Sequence, residues 1–231
     1  MKILYVVTGL GLGGAETVLA DLADQMNILG HEIKIVFLTG EVLVKPISAE
    51  IEIIELGLNS KKCFIPASIK YKQLVKRFCP DVIHAHMVHA NLFARLNRAL
   101  CPVPKLICTA HNSNEGGKAR MLAYRLTNRL SDINTNVSQE ATDSLIRKGA
   151  FKKSNVMTVH NGIDLSKFEK VSSSQTLDQN VINLISVGRF NDQKDYTNLI
   201  NAFAELKENI TTSIRLTIVG DGELRPQIEA M

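Results

Sequence analysis

Apolar and polar positions along the chain follow two alternating patterns. Short apolar runs rich in β-branched residues, of which KILYVVT (2–8) is the first, are typical of strands buried on both faces. Between these runs, apolar residues recur three or four positions apart, as they do over 15–29, which is typical of a helix that buries one face. Further strands are predicted over 31–39, 51–56, 81–86, 105–111, 133–138 and 156–163, and further helices over 65–80, 89–100, 118–131 and 139–149. The alternation predicts the α/β class with a parallel, doubly wound sheet.

The alternating pattern is interrupted once and then starts again. Residues 169–180 (EKVSSSQTLDQN) are polar and lack periodicity, which is typical of a linker. After them come a strand, a helix, a second strand and the opening of a further helix, over 181–188, 195–209, 214–220 and 223–231. We therefore predict a complete first domain over 1–168 and an incomplete second Rossmann-like domain over 181–231. Because two strands do not close a doubly wound sheet, we expect the chain to be part of a longer protein.

A glycine-rich loop follows the first predicted strand, in the stretch VVTGLGLGGAE (6–16). Gly9, Gly11 and Gly14 match the dinucleotide-binding fingerprint, which also requires an acidic residue at the end of the second strand. The second strand ends in VFLTG (36–40), so the sequence lacks that acid. The loop can still bring backbone N–H groups close to an anion at the start of a helix. A tight turn that binds nothing is the alternative interpretation.

Polar residues follow several predicted strands. They are His84, His86, His89, His111, Asn112, Ser138, Asn161 and Gly162. The carboxyl ends of parallel strands meet at one edge of a sheet, so we expect these residues and the glycine loop to form one active cleft. The H-x-H pair also resembles the metal ligands of amidohydrolases, but that class requires further His and Asp ligands and a barrel.

Positive charge is concentrated in one part of the chain. The net charge is +4, and residues 56–130 contain 13 Lys and Arg but only two acids, Asp81 and Glu115. This excess predicts contact with an anionic membrane surface or a phosphorylated substrate, with a solvated basic face as the alternative. Aromatic residues are 5% of the chain and Trp is absent, which disfavours stacking on nucleic-acid bases.

The cysteines and the hydropathy pattern bear on location. Cys63, Cys79, Cys101 and Cys108 form no C-x-x-C pair, which fits a reducing compartment better than a disulfide framework or a zinc site. No apolar run approaches the ~18 residues that a membrane span needs. We therefore expect a cytoplasmic protein that binds peripherally to the inner face of a membrane.

Seven short motifs occur in a characteristic order along the chain. They are GLGGAE, DVIHAH, TAHN, NVS, HNGID, SVGRF with QKDYTNLINAF, and IVGDGE. Together they resemble the family 4 (group 1) retaining glycosyltransferases of GT-B architecture. The resemblance implies two Rossmann-like domains that face each other across a cleft. The first domain would take the acceptor, a lipid-linked oligosaccharide or other saccharide of a surface polysaccharide, and the second would take the nucleotide sugar.

The resemblance also implies roles for individual residues. Catalytic roles fall to His111, Arg189 and Lys194, of which the last two belong to the family's G-R-x4-K stretch. Contacts to the donor phosphates and the cleft fall to Gly13, Gly14, Gly188, Arg189 and Lys194. The acceptor side is assigned to Glu16, His84, His86, Asn112 and Ser138, and the turn between the domains to Asn161 and Gly162. No metal and no cofactor is implied, because Arg and Lys can stabilise a leaving diphosphate without a divalent ion.

One element of the family pattern is missing from the sequence. The E-x7-E pair of the family's donor site would follow Met231, so the donor contacts within this chain are incomplete and its activity alone is in doubt. Two alternatives remain open: a nucleotide-sugar 2-epimerase of the same fold, and a non-catalytic fragment that binds phosphate or phospholipid.

Overall fold

The computed structural model describes residues 1–113, 116–165, 168 and 181–231. The predicted linker over 169–180 lies outside the described residues. By their internal contacts the residues separate into two compact units, Met1–Asp164 and Leu165–Met231, and each is described by itself.

The first unit is built on a seven-stranded, entirely parallel sheet with the order β3-β2-β1-β4-β5-β6-β7. Its strands are β1 (Lys2–Val7), β2 (Glu32–Phe37), β3 (Glu52–Glu55), β4 (Val82–His86), β5 (Lys105–Ala110), β6 (Ile133–Asn136) and β7 (Val156–Thr158). Its helices are α1 (Gly14–Ile28), α2 (Phe64–Phe78), α3 (Val88–Arg98), α4 (Lys118–Thr127) and α5 (Gln139–Arg147). The doubly wound α/β fold predicted from the sequence is confirmed.

The two faces of this sheet pack against different helices. On one face, Tyr5 and Ile35 belong to an apolar cluster with Leu19 of α1. On the other face, Leu4 and Ile83 belong to a larger cluster that includes residues of α2 and α3. Successive residues of a strand point to opposite faces, so the continuous apolar runs of β1 and β2 fill both clusters.

The helices α2, α3 and α4 lie side by side on the second face. Rings of α2, from Phe64 and Tyr71, contact the ring of Phe93 on α3 edge to face, with centroids 5.7 and 5.4 Å apart. The guanidinium of Arg95 on α3 lies 4.9 Å from the ring centroid of Tyr124 on α4. Both Arg95 and Tyr124 are fully buried, so this one arginine of the basic segment is a core residue and not part of a charged surface.

Two predicted elements end earlier than the sequence suggests. The strand predicted over 156–163 pairs with β6 only through Thr158, after which the Val159 N–H donates to the Asn136 carbonyl outside the ladder. The helix predicted to run to Pro80 ends at Phe78, where Cys79 adopts a left-handed conformation with φ 51°.

The described part of the second unit contains one parallel pair of strands with two helices. They are β8 (Val181–Val187), α6 (Tyr196–Asn209), β9 (Ser213–Val219) and α7 (Arg225–Glu229). Apolar side chains of β8 such as Ile185 and Val187 are 70% exposed, and the buried apolar residues described in this unit are Phe190 and Tyr196. The strand–helix–strand order predicted for 181–231 is confirmed.

Candidate active site

Most of the predicted site residues of the first unit lie at the carboxyl edge of its sheet. The glycine loop follows β1, His86 ends β4, His111 follows β5 and Ser138 follows β6. This is the edge at which open α/β sheets bind ligands.

Two glycines of the loop have close neighbours: a backbone carbonyl at Gly9 and a carboxylate at Gly13. A Cβ atom at Gly9 would lie 3.0 Å from the Thr39 carbonyl oxygen, so a side chain there would crowd the backbone after β2. Gly13 precedes α1, and the space that a Cβ would occupy there is taken by the carboxylate of Glu16. Glu16 lies in the first turn of α1, where the helix dipole favours a negative charge. A donor phosphate at Gly13 and Gly14 would therefore have to share this place with the Glu16 carboxylate.

Three histidines form a cluster beside this loop. His84 Nε2 lies 2.7 Å from Thr109 Oγ1, and His86 Nδ1 lies 3.0 Å from His111 Nε2. The ring centroids of His84 and His86 are 4.1 Å apart. These ring nitrogens are used in hydrogen bonds, which is not how a shared metal ion would be held, so the geometry argues against the amidohydrolase interpretation.

Burial keeps the cluster neutral. Burial is the main cause that lowers the pKa of His84 and of His111 from 6.5 to about 4, and the proximity of His111 contributes at His84. Burial also holds the pKa of His86 well below its ordinary value, with the other two histidines adding to the effect. At neutral pH each ring therefore carries one N–H donor and one acceptor nitrogen.

The loop after β5 is attached to β6 and α5. The Asn136 side-chain amide donates to the Asn112 carbonyl at 3.3 Å. Ser144 Oγ and Lys148 Nζ of α5 both donate to the Ser113 carbonyl, at 3.1 and 2.8 Å. These contacts fix the backbone directly after His111.

Ser138 and the predicted interdomain residues follow the last two strands of the sheet, β6 and β7. Ser138 Oγ accepts from the Ala141 N–H at 3.1 Å and caps α5, a contact that by itself explains a serine at this position. Asn161 and Gly162 are exposed and follow β7 near the end of the first unit. A Cβ at Gly162 would meet nothing within 4 Å, so packing does not require a glycine there.

The predicted donor-phosphate residues lie in the second unit, on the loop between β8 and α6. Gly188 directly follows β8, and the side chains of Arg189 and Lys194 are exposed. A Cβ at Gly188 would lie 2.9 Å from the Tyr196 hydroxyl and 3.6 Å from Lys194 Cε, so Lys194 lies over the Gly188 backbone. The loop leads into the amino terminus of the 14-residue helix α6, whose dipole favours an anion.

The structure adds residues that were not predicted from the sequence. The Thr109 hydroxyl is hydrogen-bonded to His84 Nε2 and also to Thr135 Oγ1, the latter at 2.6 Å. In the second unit, a Cβ at Gly220 would collide with the Gly188 carbonyl oxygen and the Phe190 ring, and a Cβ at Gly222 would collide with the Phe190 backbone. The IVGDGE motif contained the signal for these two glycines, whereas the threonines carry no signal without the strand register.

Two features are absent from the described part of the chain. Over 1–113, 116–165, 168 and 181–231, no helix is long and apolar enough to cross a membrane. Over the same residues, His, Cys, Asp and Glu side chains form no group of three that could hold a metal ion.

The parallel sheet with a glycine loop and polar groups at its carboxyl edge, followed by a second Rossmann-like unit, defines a GT-B type of α/β protein. The model of Glycosyltransferase Family 4 matches residues 12–167, and that of Glycosyl transferases group 1 matches residues 167–231. The chain belongs to Glycosyltransferase Family 4, as the motifs suggested.

The chain is also similar to individual known proteins. The chain is 26% identical to the putative glycosyltransferase EpsF of Bacillus subtilis, with 99% of the chain and 64% of EpsF covered. It is 23% identical to the N-acetylgalactosamine-N,N'-diacetylbacillosaminyl-diphospho-undecaprenol 4-alpha-N-acetylgalactosaminyltransferase of Campylobacter jejuni, with 100% of the chain and 65% of that protein covered. Among solved structures, Anabaena HepE in complex with UDP and glucose superposes with a TM-score of 0.74 at 19% identity, over 98% of this chain and 63% of HepE. The chain thus spans about two thirds of the length of these proteins.

Proposed function

We propose that the complete gene product transfers a sugar from a nucleotide-sugar donor to a saccharide acceptor, as part of surface polysaccharide synthesis. The observation that carries the proposal is the pair of neutral histidines at the carboxyl edge of the first sheet, His86 fully and His111 partly buried, in a chain whose two parts match glycosyltransferase families in order. In this proposal His111 acts at the reaction centre, beside the anomeric carbon of the donor.

The donor phosphates are assigned to the loop after β8. The loss of a nucleoside diphosphate leaves negative charge on the leaving group, and preorganised donors that meet this charge stabilise the transition state. Arg189 offers a planar fork of N–H donors and Lys194 a point charge, and both lie before the amino terminus of α6. The UDP in the HepE structure supports a nucleoside diphosphate as the group bound. These cations also support transfer without a divalent metal ion.

The acceptor is assigned to the first unit. The Glu16 carboxylate lies at the glycine loop and can accept hydrogen bonds from sugar hydroxyls. Asn112 follows β5 at this edge of the sheet, whereas His84 lies within β4 and the ring of His86, which ends β4, is buried, so these two histidines would support the acceptor side without contacting the sugar. The Campylobacter relative is named for an acceptor linked to diphospho-undecaprenol, which supports a lipid-linked saccharide here. Retention of the anomeric configuration is proposed from the family resemblance alone.

The donor half of the proposal is tested by nucleoside diphosphate release. The purified complete gene product is incubated with a panel of nucleotide sugars, with and without lipid-linked saccharide and with a chelator present. We expect release from one donor class, stimulated by acceptor, and loss of that release in His111→Ala but not in His160→Ala, an exposed control. Conversion of the donor to another nucleotide sugar without any release would replace transfer with the epimerase alternative.

A membrane surface is proposed as the second partner, on the face formed by α2, α3 and α4. Each contributes exposed leucines or isoleucines; they are Ile65, Ile69, Leu96, Leu122 and Leu126, with exposed fractions from 46% to 73%. The helices α2 and α4 also carry exposed cations: Lys70, Lys72, Lys76, Arg77, Lys118, Arg120 and Arg125. Cations interleaved with exposed apolar residues favour the interface of an anionic bilayer.

Only some of the apolar residues of α2 are placed to insert into a membrane. Ile69, Leu74 and Phe78 lie among the cations of α2 in the sequence. Leu74 and Phe78 are buried in the core, whereas Ile69 is 54% exposed. Ile65, one turn before Ile69, takes the place of the buried pair at the surface.

Vesicle binding with charge-matched variants tests this face. Lys72→Glu with Lys76→Glu should weaken binding to anionic vesicles by about 1 kcal/mol or more per residue, because each change removes an attraction and adds a repulsion. Lys152→Glu with Lys153→Glu makes the same change in net charge at exposed positions after α5 and should have little effect. Equal effects of the two pairs, or binding that ignores salt and lipid charge, would show that the face is only a solvated surface.

A further inference from the structure

His86 is a buried histidine whose two ring nitrogens differ in hydrogen bonding. Its side chain is at the end of β4, and the residue is 2% exposed. Nδ1 is hydrogen-bonded to His111 Nε2 at 3.0 Å, whereas Nε2 has no hydrogen-bond partner among the residues that the structure describes. The ring is enclosed by aromatic neighbours, with the centroid of Tyr5 at 5.9 Å and that of His84 at 4.1 Å.

This arrangement decides which nitrogen of each ring carries the proton. Both rings are neutral at neutral pH, so one of them donates and the other accepts in the bond between them. If His111 Nε2 were the donor, the single N–H of His86 would lie on Nε2, buried and without an acceptor. If His86 Nδ1 is the donor, only a ring lone pair of His86 stays unpaired. Orphaned buried N–H groups are the rarer and costlier case, so the second arrangement is favoured.

We infer that His86 is a positioning residue, which donates from Nδ1 to His111 Nε2 and thereby fixes His111 as the tautomer protonated on Nδ1. His111 is then held in one ring orientation, with the proton on the nitrogen that faces away from His86. The nitrogen that a histidine protonates is commonly set by the hydrogen bond that its other nitrogen makes.

The backbone around His86 supports this role because it leaves the ring little freedom. The residue after it, Met87, has φ 71° and ψ 158°, a conformation that residues with side chains adopt rarely. Met87 N–H donates to the Thr109 carbonyl at 3.1 Å, and the Asn91 side chain donates to the same carbonyl at 2.9 Å. These bonds tie the end of β4 to β5 two residues before His111, so the strand end is fixed at the site.

The inference about the tautomer stands on the geometry, and its consequence for turnover rests on the proposed function. A histidine at the reaction centre contributes only when the correct nitrogen carries the proton. Loss of the His86 bond should therefore reduce kcat more than it raises KM for the donor.

The test is the protonation pattern of the histidine rings, measured by two-bond ¹⁵N–¹H NMR on the ¹⁵N-labelled 231-residue chain. Variants assign the six histidines. We expect protons on Nδ1 of both His86 and His111. His86→Asn places an amide N–H near the position of Nδ1 and should keep the His111 pattern. His86→Gln places its amide near Nε2 and should release His111 to a mixture of tautomers.

The outcomes separate the inference from the proposed function. A proton on Nε2 of His111 in the unaltered chain, or an unchanged His111 pattern in a folded His86→Gln variant, would overturn the inference. In the complete gene product we expect His86→Gln to lower kcat by about 10- to 100-fold, the range for residues that orient a functional histidine in metal sites, and His86→Asn to retain most of it. If the NMR pattern is as expected and both variants keep full turnover, the tautomer is fixed as inferred and the assignment of His111 to the reaction centre is wrong.

Discussion

The histidines of the candidate site are neutral because they are buried, and this has a consequence for stability. An unfolded chain restores the ordinary histidine pKa of 6.5, whereas the folded state holds His84 and His111 at about 4. Between these values the unfolded state binds more protons than the folded state, so the free energy of unfolding must fall as the pH falls from 6.5 to 4.

We therefore predict that the dependence of stability on pH becomes shallower when one of these rings is replaced. His84→Asn should reduce the slope of the unfolding free energy between pH 6.5 and 4 by up to about 1.4 kcal/mol per pH unit, the contribution of one proton. Urea unfolding followed by circular dichroism at several pH values measures this slope. Identical slopes for the variant and the unaltered chain would show that His84 does not titrate as the structure indicates.

A second prediction at this scale concerns the charge at the donor phosphates. In the complete gene product, Arg189→Ala should reduce kcat/KM by an amount equivalent to about 2–4 kcal/mol, the scale for removing one preorganised donor. It should also weaken nucleoside diphosphate binding in calorimetry. Arg215→Ala removes an exposed arginine from β9 in the same unit and is the control. Equal behaviour of the two variants would remove Arg189 from the site.

The burial and contacts of two side chains could not be predicted from the sequence. Arg95 was counted with a basic surface, yet it is fully buried and donates to Thr127 Oγ1 at 3.2 Å. Its burial depends on the neighbouring helix, which periodicity within α3 does not reveal. In the same way, the contact of His86 with His111 depends on the register that places His86 beside Thr109, and a sequence states no register.

At the scale of elements, the glycine loop combines positions with different requirements. Gly9 lies 3.0 Å, measured from its ideal Cβ position, from a backbone carbonyl that has little room to move. At Gly14, the first residue of α1, an added Cβ meets nothing within 4 Å. Only the first of these two glycines is required by packing.

The same substitution should therefore destabilise the protein at Gly9 but not at Gly14. Gly9→Ala should lower the free energy of unfolding by about 1–3 kcal/mol through overpacking. Gly14→Ala should leave it unchanged or raise it by up to about 1 kcal/mol, because alanine restricts the unfolded chain and favours the helix. Thermal unfolding of both variants gives the comparison. Equal destabilisation would mean that the loop backbone lies elsewhere.

The order and type of the elements could be predicted because each strand and helix has a clear pattern of its own. The residue at which β7 ends could not be predicted in this way. The sequence predicted a strand as far as residue 163, but the chain leaves the sheet after Thr158. There the Val159 N–H donates to the carbonyl of Asn136, the last residue of β6, and the His160 ring donates to the Val137 carbonyl in the loop that follows. Strand ends are set by partners, and these lie far away in the sequence.

At the scale of the whole molecule, the two units differ in how much apolar surface they bury. The first unit has large apolar clusters on both faces of its sheet. The described part of the second buries Phe190 and Tyr196, while Ile182, Ile185 and Val187 are at least half exposed. The chain also covers only 64% of EpsF.

Hydrogen exchange should show this difference directly. We expect amides of β1 and β4 to exchange far more slowly than those of β8 and β9 in the 231-residue chain, because local stability follows buried apolar contact. Addition of nucleoside diphosphate should protect β8 and β9 little in this chain. Comparable protection of all four strands would mean that the second unit is stabilised by contacts that its described residues do not show, such as a second copy of the chain.

The proposed function is that the complete gene product moves a sugar from a nucleotide to a lipid-linked saccharide without a metal ion. Its most direct test supplies a radiolabelled nucleotide sugar and an undecaprenyl diphosphate-linked saccharide, with excess chelator, and measures label in the lipid extract. We predict acceptor-dependent label that is lost in both His111→Ala and Arg189→Ala. Label that appears only after magnesium or manganese is added, or that both variants retain, would contradict the account.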